Sequence, residues 1–179
     1  MKKNVLIISS SPRKNSNSEA LAAEFARGAA DAGNSVEALS LRTADISFCR
    51  GCLACQKTGK CVIKDDACAV TDKMLHADVL VFATPVYYYS VSGQLKTMLD
   101  RANPLYSSDY AFRRVYLLAT AADDADSAVE GAEKAVQGWV DCFERAELGG
   151  TVFAGGVNEP GDITGHAALE RAYKMGGSV

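Results

Sequence analysis

Four cysteines stand within thirteen residues, Cys49, Cys52, Cys55 and Cys61, in a C-x2-C-x2-C-x5-C run. Thiolates are soft ligands, and this spacing lets one compact loop turn several of them toward a single iron–sulfur cubane, a one-electron centre. The last gap contains Gly59, which can take the positive φ that returns a fourth sulfur toward the other three. Three rival readings stay open. Zinc accepts four thiolates, although its structural sites more often use two knuckles set well apart or mix in histidine, and His76 and His166 lie away from this loop. Disulfides need an oxidising compartment, which nothing in the chain suggests. A reduced loop without metal is the third. Cys68 and Cys142 fall outside the run and read as small buried residues.

The bacterial ferredoxin run opens with the same gaps, but here five residues rather than three precede the fourth cysteine, and Val62 rather than proline follows it. A second chemical segment runs from Ser9 to Ser18, with hydroxyls, Asn15, Asn17 and Arg13 directly ahead of a helical pattern. Such donors, with the free N–H groups of a helix N-terminus, suit a phosphate. The plain alternative is that Asn17 or Ser18 merely caps the helix. Neither the dinucleotide fingerprint G-x-G-x-x-G nor G-x-x-x-x-G-K-[ST] is present, which argues against a Rossmann NAD site and against triphosphate hydrolysis. A third segment, Thr84-Pro85-Val86-Tyr87-Tyr88-Tyr89-Ser90, offers an apolar and aromatic wall and backbone donors to a planar flavin ring, and Thr120-Ala121-Ala122-Asp123 can line its other side. No nucleophile, base and orienter stand together, so the chemistry is that of a cofactor.

The elements that must position these segments follow from periodicity. Short apolar runs at Val5–Ile8, Val36–Leu41, Asp78–Ala83, Val115–Thr120 and Thr151–Ala154 read as strands. Helical segments separate them: Ser18–Ala32 with the core face Leu21, Phe25, Ala29 and Ala32, Asp66–His76, about 92–101 with Leu95, Met98 and Leu99, about 129–143 around Trp139, which reads as core, and Ala167–Met175. Strand and helix in alternation give a doubly wound α/β fold, a five-stranded parallel sheet of order 2-1-3-4-5 with the cysteine-rich loop, about residues 46–66, after strand 2. Ligands bind such sheets beyond the carboxyl ends of the strands, where the order reverses, which is where the Ser9–Ser18 and Thr84–Ser90 loops fall.

The 179 residues fit one domain, residues 1–179, with 48% apolar residues, 23% charged and a net charge of −3. Nothing favours nucleic acid as a partner. The four-residue run Val5–Ile8 is a strand rather than a signal peptide, and no segment has the length to span a bilayer, so a cytoplasmic protein away from membranes is expected.

Three stretches, Ser11-Pro12-Arg13-Lys14-Asn15-Ser16-Asn17-Ser18, Pro85-Val86-Tyr87-Tyr88-Tyr89-Ser90-Val91-Ser92-Gly93-Gln94-Leu95-Lys96 and Asp100-Arg101, resemble the motifs of the NADPH-dependent FMN reductase and iron–sulfur flavoprotein group of flavodoxin-like proteins. Cys49-Arg50-Gly51-Cys52-Leu53-Ala54-Cys55, through Cys61 to Asp65-Asp66, resembles the cluster motif of the iron–sulfur flavoproteins. The likeness covers most of the chain and is most specific from Ser9 to Arg101. It implies FMN, with its phosphate on Ser11, Arg13, Ser16, Asn17 and Ser18 and its ring against Pro85, Val86, Tyr87 and Tyr88, beside the Thr120 and Ala121 backbone. It also implies a [4Fe-4S] cluster on Cys49, Cys52, Cys55 and Cys61, although similar loops occur in plain flavin reductases of the same group. Homodimers or homotetramers, in which the cluster of one subunit approaches the flavin of another, are implied as well.

The expectation is an FMN oxidoreductase that carries electrons from NAD(P)H or a reduced carrier, such as a ferredoxin-like protein, to a small acceptor such as a quinone or flavin. The alternative is a flavodoxin-like carrier between protein partners without nicotinamide turnover. A thiol-based redox sensor is the third possibility, and it leaves the two cofactor loops without a purpose.

Overall fold

The computed structural model describes residues 2–179. Its centre is a parallel sheet of β1 (Asn4–Ser9), β2 (Ser35–Ser40), β3 (Val79–Tyr87), β5 (Arg114–Thr120) and β6 (Glu147–Ala154), in the order β2-β1-β3-β5-β6. The continuous apolar runs of β1 and β3 are buried because helices cover both faces. Val5 and Ile7 join one core cluster while Leu6 and Ile8 join the other, as the two-residue period of a strand requires. The edge strand β2 has no buried residue and mixes apolar with polar side chains.

The sheet has six strands rather than the five expected. β3 does not stop at Ala83 but continues to Tyr87, and β4 (Ser90–Val91) folds back antiparallel on it, with Val86 opposite Val91 and Tyr87 opposite Ser90. The five parallel strands keep the expected neighbours. A two-residue strand is too short to leave a periodic signature.

Helices α1 (Asn17–Asp31) and α6 (Ala167–Gly177) cover one face; α3 (Asp66–His76), α4 (Gly93–Arg101) and α5 (Glu130–Val140) cover the other. Leu21, Phe25 and Ala29 are the buried stripe of α1, as their spacing requires, whereas Ala32, expected on the same face, is exposed because it is the C-cap beyond the last helical residue. α1 and α6 meet almost backbone to backbone. A Cβ added at Gly28 would lie 2.0 Å from the Tyr173 carbonyl oxygen, and one at Gly176 2.1 Å from that of Phe25. Between β2 and α3 the chain forms the cysteine loop. It is not wholly irregular, because a short helix α2 (Ala54–Thr58) sits inside it, flanked by left-handed residues Leu53 (φ 56°) and Gly59 (φ 69°).

Candidate cofactor cleft and cysteine centre

A cleft of about 140 Å³ opens beyond the carboxyl ends of the strands. Ser11, Arg13, Ser16, Asn17 and Ser18 line its first side, from the loop after β1 and the start of α1. The α1 N-terminus is well built: Ser16 Oγ accepts from Glu19 N at 3.2 Å, and Glu19 Oε2 accepts from Ser16 N at 3.1 Å, a complete capping box. Ser11 Oγ also accepts, from Arg13 N at 3.2 Å. A hydroxyl that accepts in this way still has its hydrogen to give. Ser11, Ser16 and Ser18 are all buried, and with the positive end of the fifteen-residue α1 they make a donor set that fits a phosphate monoester.

Arg13 and Asn17 do something the sequence did not show. Arg13 Nη1 donates to Asn158 O at 2.7 Å and Asn17 Nδ2 to Glu159 O at 3.0 Å, while Asn17 Oδ1 accepts from the amides of Gly161 and Ile163 at 3.2 and 3.3 Å. Both side chains stitch the loop after β6 to the loop after β1. That later loop, through Val157, Asn158 and Pro160, is an unexpected further wall of the cleft. Its amides at Glu159 and Asn158 also donate to Asp162, holding that carboxyl below its ordinary range. The signal for this wall was available: it follows the carboxyl end of a strand in the same sheet.

Pro85, Val86 and Tyr87 form the second side, and Thr120, Ala121 and Ala122 the third. Tyr88, expected beside a flavin ring, lies outside this lining and is fully exposed. It occupies, with Tyr89, the two-residue turn between β3 and β4, where both have positive φ, 48° and 59°. A hairpin this tight demands such values and ordinarily takes Asn-Gly. The tyrosine pair therefore stores strain of about 1–2 kcal/mol per residue. The turn is held from outside: Tyr89 Oη donates to Asp123 Oδ2 at 3.1 Å. A Cβ added at Gly131 would lie 1.9 Å from the Tyr89 carbonyl oxygen, so α5 starts hard against the hairpin. Beneath it, Thr84 Oγ1 accepts from Ser92 N at 3.0 Å, and Ser92 Oγ lies 2.9 Å from Ser10 Oγ, which donates to Ala83 O at 3.1 Å. This buried polar chain ties the first loop to the second.

The four clustered cysteines line a separate, larger cavity of about 460 Å³. Cys55 is buried and its Sγ accepts from Asn103 Nδ2 at 3.0 Å; Cys49 Sγ accepts from Gly51 N at 3.4 Å; Cys49 and Cys52 are exposed and Cys61 is half-buried. Among the described residues no three His, Cys, Asp or Glu side chains are gathered to hold a single metal ion. Four thiols distributed around one cavity, with N–H donors already on two sulfurs, are a donor set that fits a polynuclear iron–sulfur group, whose thiolates bind different irons. Cys142 corrects an expectation. It is exposed rather than buried and adds a fifth thiol to the cavity wall, because it falls just past the end of α5, off the apolar stripe. Cys68 is half-buried and donates to Ile63 O at 3.2 Å. Trp139, edge-on to Phe82 and stacked on Phe112, packs against the core as expected and also faces the cavity.

The two sites stand at opposite ends of α4 and α5. Ser92 caps α4 at the cleft end, whereas Arg101, the last residue of that helix, lines the cysteine cavity. α5 abuts the hairpin with Gly131 and reaches the cavity with Trp139. Helices of nine and eleven residues at about 1.5 Å per residue put about 14–17 Å between the two ends of each.

Known proteins resemble the chain on both counts. It is 29% identical over 168 residues to an iron–sulfur flavoprotein of Methanosarcina thermophila, covering 94% of this chain and 85% of that one. It is 40% identical over 101 residues to one of Methanocaldococcus jannaschii, covering 56% of this chain, and the match spans about half of that relative's length, 52%. Among solved structures, an azoreductase from Bacillus anthracis str. Sterne superposes with a TM-score of 0.74 at 20% identity over the whole of both chains. An NAD(P)H:quinone oxidoreductase from Methanothermobacter marburgensis does so with a TM-score of 0.72 at 18% identity, covering 99% of this chain and 97% of that one. These two likenesses establish the flavodoxin-like fold. Residues 3–157 match the family described as NADPH-dependent FMN reductase, and with so much of its length in that match the chain belongs to this family of oxidoreductases.

Proposed function

We propose that the protein is an FMN-dependent oxidoreductase that moves electrons from NAD(P)H or a reduced carrier to a small acceptor such as a quinone or flavin, with a [4Fe-4S] cluster on Cys49, Cys52, Cys55 and Cys61 as its one-electron station. The observation that carries this reading is the coexistence, in one chain, of a phosphate-suited cleft at the reversal of strand order and four thiols around one cavity. Relatives named iron–sulfur flavoproteins support the second cofactor.

FMN, when bound, takes an electron pair as hydride and releases electrons singly. The protein's part is to bind and orient. The hydroxyls of Ser11, Ser16 and Ser18 and the first turn of α1 hold the phosphate; Pro85 and Val86 offer the ring a flat apolar wall; Thr120 and Ala121 bound the opposite side. At the other centre, Asn103 and Gly51 donate to the Cys55 and Cys49 sulfurs.

Assembly as a homodimer or homotetramer would bring the cysteine centre of one subunit near the cleft of another. Exposed apolar side chains occur at both places: Tyr87, Tyr88 and Tyr89 on the hairpin, and Phe48, Leu53, Val62 and Tyr106 on and beside the cysteine loop. No helix among the described residues is long and apolar enough to cross a membrane. The cytoplasm, where thiols stay reduced, is the compartment this chemistry requires.

The deciding experiment is the visible spectrum of protein purified without oxygen, with FMN, iron and acid-labile sulfide counted on one sample. Flavin with about four iron and four sulfide per chain supports the two-cofactor reading. Flavin without iron, after anaerobic reconstitution has also failed, reduces it to a flavin reductase. A second assay separates the carrier reading: NAD(P)H should bleach the flavin, whereas a carrier would be reduced by ferredoxin alone.

A further inference from the structure

The cysteine loop leaves the body of the protein through one neck. Asp45 N donates to Asp66 Oδ2 at 2.8 Å, Asp66 N to Asp45 O at 3.1 Å, and Ser47 N to Asp65 Oδ2 at 2.9 Å. Against this neck lies Arg101, whose side chain has no exposed surface. Its Nη1 donates to Ser47 O at 2.7 Å and Asp65 Oδ2 at 2.6 Å; its Nη2 donates to Asp65 Oδ1 at 2.7 Å and Ile63 O at 3.2 Å. One guanidinium thus joins the strand that enters the loop to the strand that leaves it. Its Nε is buried and has no partner among the described residues, and the same side chain lines the cysteine cavity in contact with Cys61.

Stability alone does not account for this choice, since a buried ion pair is commonly matched or bettered by an apolar pair of the same volume. The planar fork of arginine does what lysine cannot: it meets both carboxylate oxygens and two carbonyls at once. It also leaves a donor and a positive charge at the cavity wall.

We propose that Arg101 is the positioning residue of the cysteine centre, clasping the neck so that the thiols face one cavity before any metal arrives and setting a fixed positive charge beside Cys61. In a cluster-bearing protein the charge favours the reduced form, which carries one more negative charge, and so raises the reduction potential. This second part rests on the cluster reading proposed above; the clasp does not.

The test uses the full chain and three forms. R101K keeps the charge and loses the fork. R101Q/D65N removes the charge together with its partner, so that no carboxylate is left buried and unpaired. The wild type is the reference. In metal-free, reduced protein, hydrogen exchange of residues 45–67 is expected to quicken at least tenfold in both variants, with exchange in β1, β3 and β5 unchanged. Unchanged exchange at the neck in R101K, which needs only one folded variant, overturns the clasp. In reconstituted protein the cluster potential is expected to fall in R101Q/D65N, because the guanidinium lines the cavity and its partner carboxylate does not, and to hold in R101K. Equal potentials in all three forms overturn the role of the charge. A wild type that never takes up iron overturns the cluster reading instead, and the exchange data still decide the clasp.

Discussion

The cofactor cleft and the cysteine cavity are built by opposite means. The cleft is made of strand ends whose register is set by the ladders of β1, β3, β5 and β6, and its donors are short hydroxyls and helix amides in the buried frame. The cysteine cavity hangs on a loop whose shape depends on one buried ion pair and a few neck hydrogen bonds, and three of its five thiols are exposed. Backbone sites tolerate loss of any one side chain, because many weak donors share the ligand. Thiolate sites do not, because each sulfur is a covalent attachment.

If that contrast holds, Cys52→Ala has the largest effect expected: nearly all cluster iron and sulfide lost, with FMN content retained. Parallel loss of FMN, measured on the same sample, would break the independence of the two regions. Next in size is the neck. Asp65→Ala leaves Arg101 buried without its carboxylate, at a cost of about 3–5 kcal/mol in urea unfolding. The acid side of the same pair has a definite sign. The Arg101 guanidinium, opposed by burial and helped by the Ser47 amide, holds the Asp65 carboxyl below its ordinary range. Its stabilisation is therefore complete above the unfolded value of about 3.9 and is lost as pH falls through the lower folded value. Wild-type urea midpoints should drop in that acid window, and those of Asp65→Ala should lack this part of the drop.

Smaller effects belong to the cleft. Ser16→Ala removes the cap of α1, costing about 1 kcal/mol of stability. It also removes a donor to the proposed phosphate, weakening FMN binding about tenfold by flavin fluorescence titration, since hydrogen bonds to charged groups contribute about 1.5–3 kcal/mol. Iron content should not change. The smallest effect has the opposite direction: Tyr88→Gly relieves a left-handed side chain that packs on nothing, and is expected to stabilise by about 1 kcal/mol and raise Tm by about 2–4 °C. A lower Tm would mean that the exposed tyrosine is covered by a second subunit.

What could be read without the structure divides along physical lines. The apolar runs at Val5–Ile8 and Val115–Thr120 and the stripes of α1 and α4 were legible because burial imposes a period on local sequence. The hairpin after Pro85 was not, because Tyr88 and Tyr89 are poor residues for the turn they make, and only packing by Gly131 and the bond to Asp123 holds them there. Most of the cleft was anticipated. The Asn158 wall was missed, and so was the use of Arg13 and Asn17 to hold it, since contacts 142–146 residues apart leave no local trace.

The amino-acid sequence by itself determined the order of strands and helices, the spacing of four soft ligands and the donors ahead of α1, because periodicity, ligand chemistry and capping act over a few neighbouring residues. Only the tertiary structure decided that the two centres lie at opposite ends of α4 and α5, that Cys142 joins the thiol cavity and that Arg101 closes its neck. Those facts depend on which distant segments the sheet brings together, and long-range packing, unlike local pattern, is a property of the whole chain.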